Sequence, residues 1–259
     1  MKIIELYNKL CQAIPQSLSC EWDCDGLEAC PDPEREVCRV LISLDVTNET
    51  VQKAVEEKFD LIVAHHPLFF GGLDGINAVM PSGKRAVLLA KNDIAVMTFH
   101  TRLDALSGGV NDILAARIGL EDVRTVKNGE EQIMRVGSLK RELSLEAFAR
   151  LVKSALTSGG QEPTVIVSSA GKAVKKVAVL GGAGGDDVAL ASNSGADTYL
   201  TGELKYHQEL SADDFGINLV CAGHFFTEYP VCEFLRDIIC QNIPEAYTEI
   251  YFSNKIETV

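Results

Sequence analysis

Apolar residues occur in short runs, separated by polar and glycine-containing stretches, along most of the chain. Arg39–Val46 is one such run and carries Asp45 at its end. Leu61–Ala64 is a second, closed by His65-His66-Pro67, and Ile94–Phe99 is a third, closed by His100. Runs of this length bounded by turn residues predict buried strands. Between them, Thr47 or Asn48 predicts the N-cap of a helix reaching about Lys58, and Lys84–Lys91 has helical spacing. A further helix is predicted after Gly108-Gly109, running to about Ile118 with Gly119 at its C-cap.

The pattern then changes. Glu121–Gln132 is more polar, and this composition shift near residue 125 marks a domain boundary. Ile133–Leu139 predicts a strand, Leu145–Leu156 a helix, and Thr164–Ser168 an extended stretch. From Val174 the alternation returns. Strand Val177–Leu180 leads into a glycine loop, Gly181–Gly185, and a helix over Asp187–Ser192. Strands at Thr198–Thr201 and Ile217–Ala222 follow, with a final helix from about Thr227 to Gln241. Strands alternating with helices at this pitch predict an α/β fold with mixed, largely parallel sheets.

A weak internal repeat runs through this pattern. Asp60-Leu-Ile-Val-Ala-His-His66 can be laid on Asp197-Thr-Tyr-Leu-Thr-Gly-Glu203. Each stretch is followed by a helical segment and a second apolar strand, and these strands lead to His100-x3-Asp104 and His224-x3-Glu228. The likeness reads either as a duplication or as the ordinary similarity of strand ends in α/β proteins.

Composition narrows the function. Hydrophobic residues at 46% and charged residues at 24% are globular proportions and exclude a disordered chain. A formal net charge of −13 argues against a nucleic-acid partner, since phosphate binding needs a basic face. The start, Met1-Lys2-Ile3-Ile4-Glu5, is amphipathic and lacks the layout of a signal peptide. No run approaches the roughly 18 apolar residues of a membrane helix, so a cytoplasmic address is expected. The eight cysteines then read as thiols, and their irregular gaps lack the C-x2-C spacing of a zinc site.

The candidate chemistry lies in the histidines. Of five in the chain, His65, His66, His100 and His224 fall at the C-terminal ends of predicted strands, where α/β sheets gather ligands. Three segments therefore supply one candidate metal pocket: His65-His66, His100-x3-Asp104 and His224-x3-Glu228. Four-residue spacing at a helix start puts His224 and Glu228 on one face, and a carboxylate there can bridge two cations. Imidazole mixed with carboxylate suits Zn, Mn, Fe, Co or Ni. His100 is open to three roles: ligand, partner of a ligand, or acid/base group. His207 reads as an ordinary surface or core histidine. The glycine loop reads as a tight turn rather than a dinucleotide site, because Asp186 and Asp187 would repel a pyrophosphate there.

Several motifs, in order along the chain, resemble one family. They are Trp22-Asp-Cys-Asp-Gly-Leu27, Ile42-Ser-Leu-Asp-Val-Thr47, Ile62-Val-Ala-His-His-Pro-Leu68 and Phe99-His-Thr-Arg-Leu-Asp104 followed by Gly108-Gly-Val-Asn111. Thr201-Gly-Glu203 with Lys205-Tyr-His207, and Gly223-His-Phe-Phe-Thr-Glu228, complete the set. Together they resemble the Nif-three-like dinuclear metal-centre family, whose members often carry the label GTP cyclohydrolase I type 2 homologue. Cys24 stands where that family usually has Asn. The resemblance implies two interlocked α/β domains, here drawn as 1–124 plus 222–259 and 125–221, and a toroidal homohexamer. It implies two divalent ions per chain, held by residues matching His65, His66, Asp104, His224 and Glu228. The label implies hydrolytic opening of the purine ring of a nucleotide, and the first expectation is accordingly a metal-dependent hydrolase in which His100 shuttles a proton. A non-catalytic role in metal handling or protein interaction is the alternative.

Overall fold

The computed structural model describes residues 1–71, 75–128 and 131–256. In chain order it contains α1 (Ile3–Ala13), β1 (Leu27–Ala29), β2 (Arg39–Ser43), α2 (Asn48–Glu56), β3 (Leu61–Ala64), α3 (Pro81–Lys91), β4 (Ala95–Thr98) and α4 (Thr101–Ala105). There follow α5 (Val110–Arg117), β5 (Leu120–Asn128), β6 (Glu131–Leu143), α6 (Leu145–Leu156), β7 (Ile166–Ser168), β8 (Val174–Leu180), α7 (Val188–Asn193) and β9 (Thr198–Thr201). The chain ends with α8 (Tyr206–Glu209), α9 (Ala212–Phe215), β10 (Asn218–Cys221), α10 (His224–Glu228), α11 (Val231–Asn242) and β11 (Tyr247–Tyr251). No helix among the described residues is long and apolar enough to cross a membrane.

The chain forms two compact α/β units. Met1–Leu103 with Val231–Lys255 make the first, and Asp104–Pro230 the core of the second. Both boundaries differ from the expected 1–124 plus 222–259. The reason is pairing: β5 is held by β6, and α5 packs on both, so the segment after Leu103 goes with the second sheet.

In the first unit the strand order is β1-β4-β3-β2-β11. Four strands run parallel, and β1 closes one edge antiparallel to β4. Strands β2, β3 and β4 are built from Val, Ile, Leu, Met and Ala and are almost entirely buried, as a sheet covered on both faces requires. Helix α2 starts where predicted: the Thr47 hydroxyl accepts from the Thr50 amide as N-cap. Its Val51 and Ala54 pack into a core with Leu41, Phe59, Ile62 and Leu89.

The second unit has the order β5-β6-β8-β9-β10-β7, with β8, β9 and β10 parallel and the other three strands added antiparallel. The expected single C-terminal helix is two helices. Pro230 lacks an N–H, and the chain turns there between α10 and α11.

The repeat has a physical counterpart. Asp60 immediately precedes β3, and its carboxylate accepts the amides of Cys38 and Arg39 at 2.8 Å each. Asp197 immediately precedes β9, and its carboxylate accepts the amides of Lys175 (3.0 and 3.1 Å) and Lys176 (2.7 Å). Each thus caps the start of the preceding parallel strand. The ladders also correct one detail. Phe99 N donates to Ala64 O, and Ala222 N donates to Thr201 O. This register sets His100 against Gly223 rather than His224. The two His-x3-acid motifs are therefore one residue out of step, and Gly223, at φ +83°, fills the extra position.

Candidate metal centre

The first unit gathers three imidazoles at the carboxyl ends of β3 and β4. His65 and His66 follow β3 directly, and His100 follows β4 by two residues. Their ring centroids lie 4.9–5.7 Å apart, and one ring nitrogen from each lies within 4.8 Å of the others. Each ring is fixed through Nδ1. That of His65 meets the Phe99 carbonyl at 2.8 Å, that of His66 meets Asp45 Oδ1 at 2.8 Å, and that of His100 meets Asp23 Oδ1 at 3.0 Å. A carbonyl or carboxylate oxygen only accepts, so in the neutral rings Nδ1 carries the hydrogen and Nε2 the lone pair.

The orienting carboxylates are themselves held. Asp23 is buried, which alone would raise its carboxyl. Hydrogen bonds from the His100 ring and from the Thr101 hydroxyl and amide outweigh burial and keep it well below the usual carboxylate range. Next to it, Asp25 Oδ2 accepts from the His100 amide at 2.7 Å and from Arg102 Nε at 2.8 Å, in an ion pair whose side chains are both fully buried.

The second unit groups Asp104, His224 and Glu228. Helix α10 begins at His224, and four-residue spacing brings His224 Nε2 to 3.0 Å from Glu228 Oε2. On its other side, His224 Nδ1 meets Glu203 Oε1 at 2.8 Å. A carboxylate oxygen of Asp104 lies within 4.8 Å of one of Glu228. Glu228 is buried, and Asp104 is partly so. Two carboxylates this close, away from bulk water, repel unless a proton or a cation lies between them.

The glycine loop is what lets Glu228 reach this place. A Cβ on Gly182 would sit 2.1 Å from Glu228 Oε1 and 3.1 Å from His224 Nε2, and one on Gly181 would sit 3.1 Å from Glu228 Cγ. The loop is pinned by its amides. Gly181 N donates to Asn111 Oδ1 at 2.8 Å, and Gly182 N donates to Thr227 Oγ1 at 3.1 Å. Asn111 Nδ2 in turn donates to the Asp104 carbonyl at 3.3 Å, tying loop to ligand segment.

Each unit thus groups its own share of the predicted residues. His65 and His66 lie together in the first, joined by His100, and Asp104, His224 and Glu228 lie together in the second. His207 stands exposed on α8. Sequence reasoning did not assign Asp23, Asp45 and Glu203 their roles. Asp45 was legible only as the end of a strand run, and Asp23 and Glu203 only as motif letters. The available signal was the number of carboxylates at strand ends beside the histidines.

The donor set fits a divalent metal ion. Imidazole nitrogens and carboxylate oxygens are ligands for borderline cations, and each ring that offers Nε2 is oriented by an oxygen on Nδ1, as metal-bound histidines are. Glu203→Ala gives a direct check. Glu203 is exposed, so the fold should hold, while affinity for Zn2+ or Mn2+ in calorimetric titration should fall by about 10- to 100-fold. An unchanged affinity would remove the orienting role.

Comparison with known proteins adds to this picture. The family model described as Duf34/NIF3 (NGG1p interacting factor 3) matches residues 1–258. A Clostridium perfringens protein named GTP cyclohydrolase 1 type 2 homolog is 31% identical over 235 residues, covering 89% of this chain and 88% of that one. A Schizosaccharomyces pombe protein named NIF3 homolog is 32% identical over 243 residues, covering 89% and 84%. The crystal structure of a hypothetical protein from Staphylococcus aureus superposes with a TM-score of 0.89 at 26% identity, over 100% of this chain and 99% of that one.

Proposed function

The chain belongs to the Duf34/NIF3 family, and from that premise we propose that it is a metal-dependent hydrolase acting on a small nucleotide. In this reading His65, His66, Asp104, His224 and Glu228 hold two divalent cations, and the substrate loses its purine ring closure to water. A homohexamer is the assembly this reading carries. One observation supports it above the rest: in each of four imidazoles Nδ1 meets an oxygen acceptor, the orientation by which histidines present Nε2 to a metal ion.

When bound, the paired cations supply an acidified water and polarise a substrate oxygen. The chain's own residues do the rest. Asp45 and Glu203 keep the rings of His66 and His224 in one tautomer and orientation. Asp23 does the same for His100, so its Nε2 is the atom that takes a proton from the attacking side and returns it to the leaving nitrogen. Its place beside His65 and His66 suits that transfer.

Elemental analysis joined to turnover tests this. The wild type should hold about two ions per chain and open the ring of GTP or a related purine nucleotide. His66→Ala and Glu228→Ala should lower metal content and turnover together. Protein that stays metal-free after loading, or opens the ring as fast without metal, would sink the proposal. A metal-replete wild type that turns over no nucleotide and gives its metal to an apo-acceptor would support the metal-handling reading instead.

A further inference from the structure

Two large aromatic side chains stand in solvent at the imidazole cluster of the first unit. Trp22 is 59% exposed and Phe70 is 70% exposed. Both contact the same ring: the Trp22 centroid lies 6.0 Å from that of His100 at 75°, and the Phe70 centroid lies 5.7 Å from it at 68°. An edge-on contact engages only part of each ring, and the exposures show that most of both surfaces is open. Aromatic side chains are mostly covered in folded proteins, so a pair left open at a donor cluster calls for an occupant.

The pair is not loosely placed. Asp23 follows Trp22 and is bonded to the His100 ring and to the Thr101 amide and hydroxyl. Phe70 follows a segment whose amides, Leu68 N and Phe69 N, donate to the two carboxylate oxygens of Glu28 at 2.8 and 3.0 Å. Glu28 also accepts from Thr98 Oγ1 at 2.7 Å on β4. Each aromatic is thus anchored through its chain neighbours, Trp22 to His100 and Thr101 and Phe70 by way of Glu28 to Thr98 of β4.

We propose that Trp22 and Phe70 form a stacking subsite that holds a planar heteroaromatic ring, of the nucleobase kind, beside His100. The inference rests on the hydrolase reading above for its placement next to the reacting groups. Ring faces attract any flat heterocycle, with little demand for a particular hydrogen-bond pattern, and water is displaced from apolar surface when the ring seats. The subsite would select for the base and leave the sugar and phosphate to other groups. Trp22 and Phe70 would be substrate-positioning residues.

Trp22 is the only tryptophan, so its fluorescence reports on the subsite alone. Titration of the full-length, metal-loaded protein with GMP should quench it saturably, and ribose 5-phosphate at equal concentration should not. By calorimetry, Trp22→Ala and Phe70→Ala should each weaken GMP binding by about 5- to 150-fold, with metal content unchanged and Trp22→Phe close to wild type. Both side chains are exposed, so the variants should fold. Equal quenching by ribose 5-phosphate, or GMP affinity indifferent to both alanine variants, would overturn the proposal. So would variants that change only the assembly state, since the rings would then belong to subunit contact. Quenching by GMP without any ring opening would leave the subsite standing and count against the hydrolase. Ring opening untouched by either alanine variant would do the reverse.

Discussion

Arg102→Met should destabilise the first unit by about 3–5 kcal/mol, read as a lower midpoint in urea unfolding. Arg102 and Asp25 have fully buried side chains, and the guanidinium reaches Asp25 at 2.8 Å, the Ile14 carbonyl at 3.3 Å and the Thr98 carbonyl at 3.4 Å. It also lies 4.6 Å from the centre of the Phe99 ring. Removing the cation leaves a buried carboxylate whose remaining hydrogen bonds, among the described residues, come from Gln16, Ser19 and the His100 amide. Asp25→Ala should cost a similar amount, because a lone buried guanidinium is no better tolerated. The double variant Arg102→Met/Asp25→Leu should recover much of the loss, since an apolar pair of similar volume often matches a buried ion pair. If both single variants unfold at the wild-type midpoint, the pair is not the anchor described. The effect should reach the imidazole cluster as well, because Asp25 holds the His100 amide.

Gly202→Ala should be the most damaging small substitution in the second unit. The added Cβ would lie 2.6 Å from the Gly182 carbonyl oxygen, 2.7 Å from His224 Cα and 2.7 Å from Thr227 Oγ1. Two of these three neighbours are backbone, so relief requires the glycine loop and the start of α10 to part. Overpacking of this kind costs about 1–3 kcal/mol and displaces what it presses on. Here that is the His224 ligand segment, so metal affinity should fall together with stability. By contrast, Gly171→Ala meets nothing within 4 Å and carries only the strain of its φ of +72°, so it should leave metal binding intact. Normal metal affinity in Gly202→Ala would show that the loop and α10 yield without moving His224.

The central strands and the imidazole cluster were legible for the same reason. β2, β3 and β4 are buried on both faces, so their apolar runs stand out, and the residues that close them are the polar ones the sheet delivers to its carboxyl edge. The edge strands were not. β5 reads as polar because, among the described residues, Leu120 and Val126 are its buried ones, and Glu121 to Thr125 face water. β1 has three half-buried residues, and β11 is more exposed at Tyr247. Such strands are specified by their partners rather than by their own pattern. The same limit applies at the site. The histidines were found from spacing, but Asp23, Asp45 and Glu203 act through bonds to rings at least 21 positions away along the chain. The glycine loop was correctly read as a turn, yet its purpose, clearing space for Glu228, depends on α10 coming against it.

The route of the chain between its units has a consequence for synthesis. All six strands of the second sheet lie within one continuous stretch, from β5 to β10, whereas the first sheet needs β11, which ends at Tyr251. During translation the second unit can close its ladder while the first still presents the unpaired backbone edge of β2. An open parallel edge of this kind is a template for mispairing. The nascent protein is therefore most exposed to aggregation in the interval before Tyr247–Tyr251 emerges, and a truncation that removes this strand would make that interval permanent.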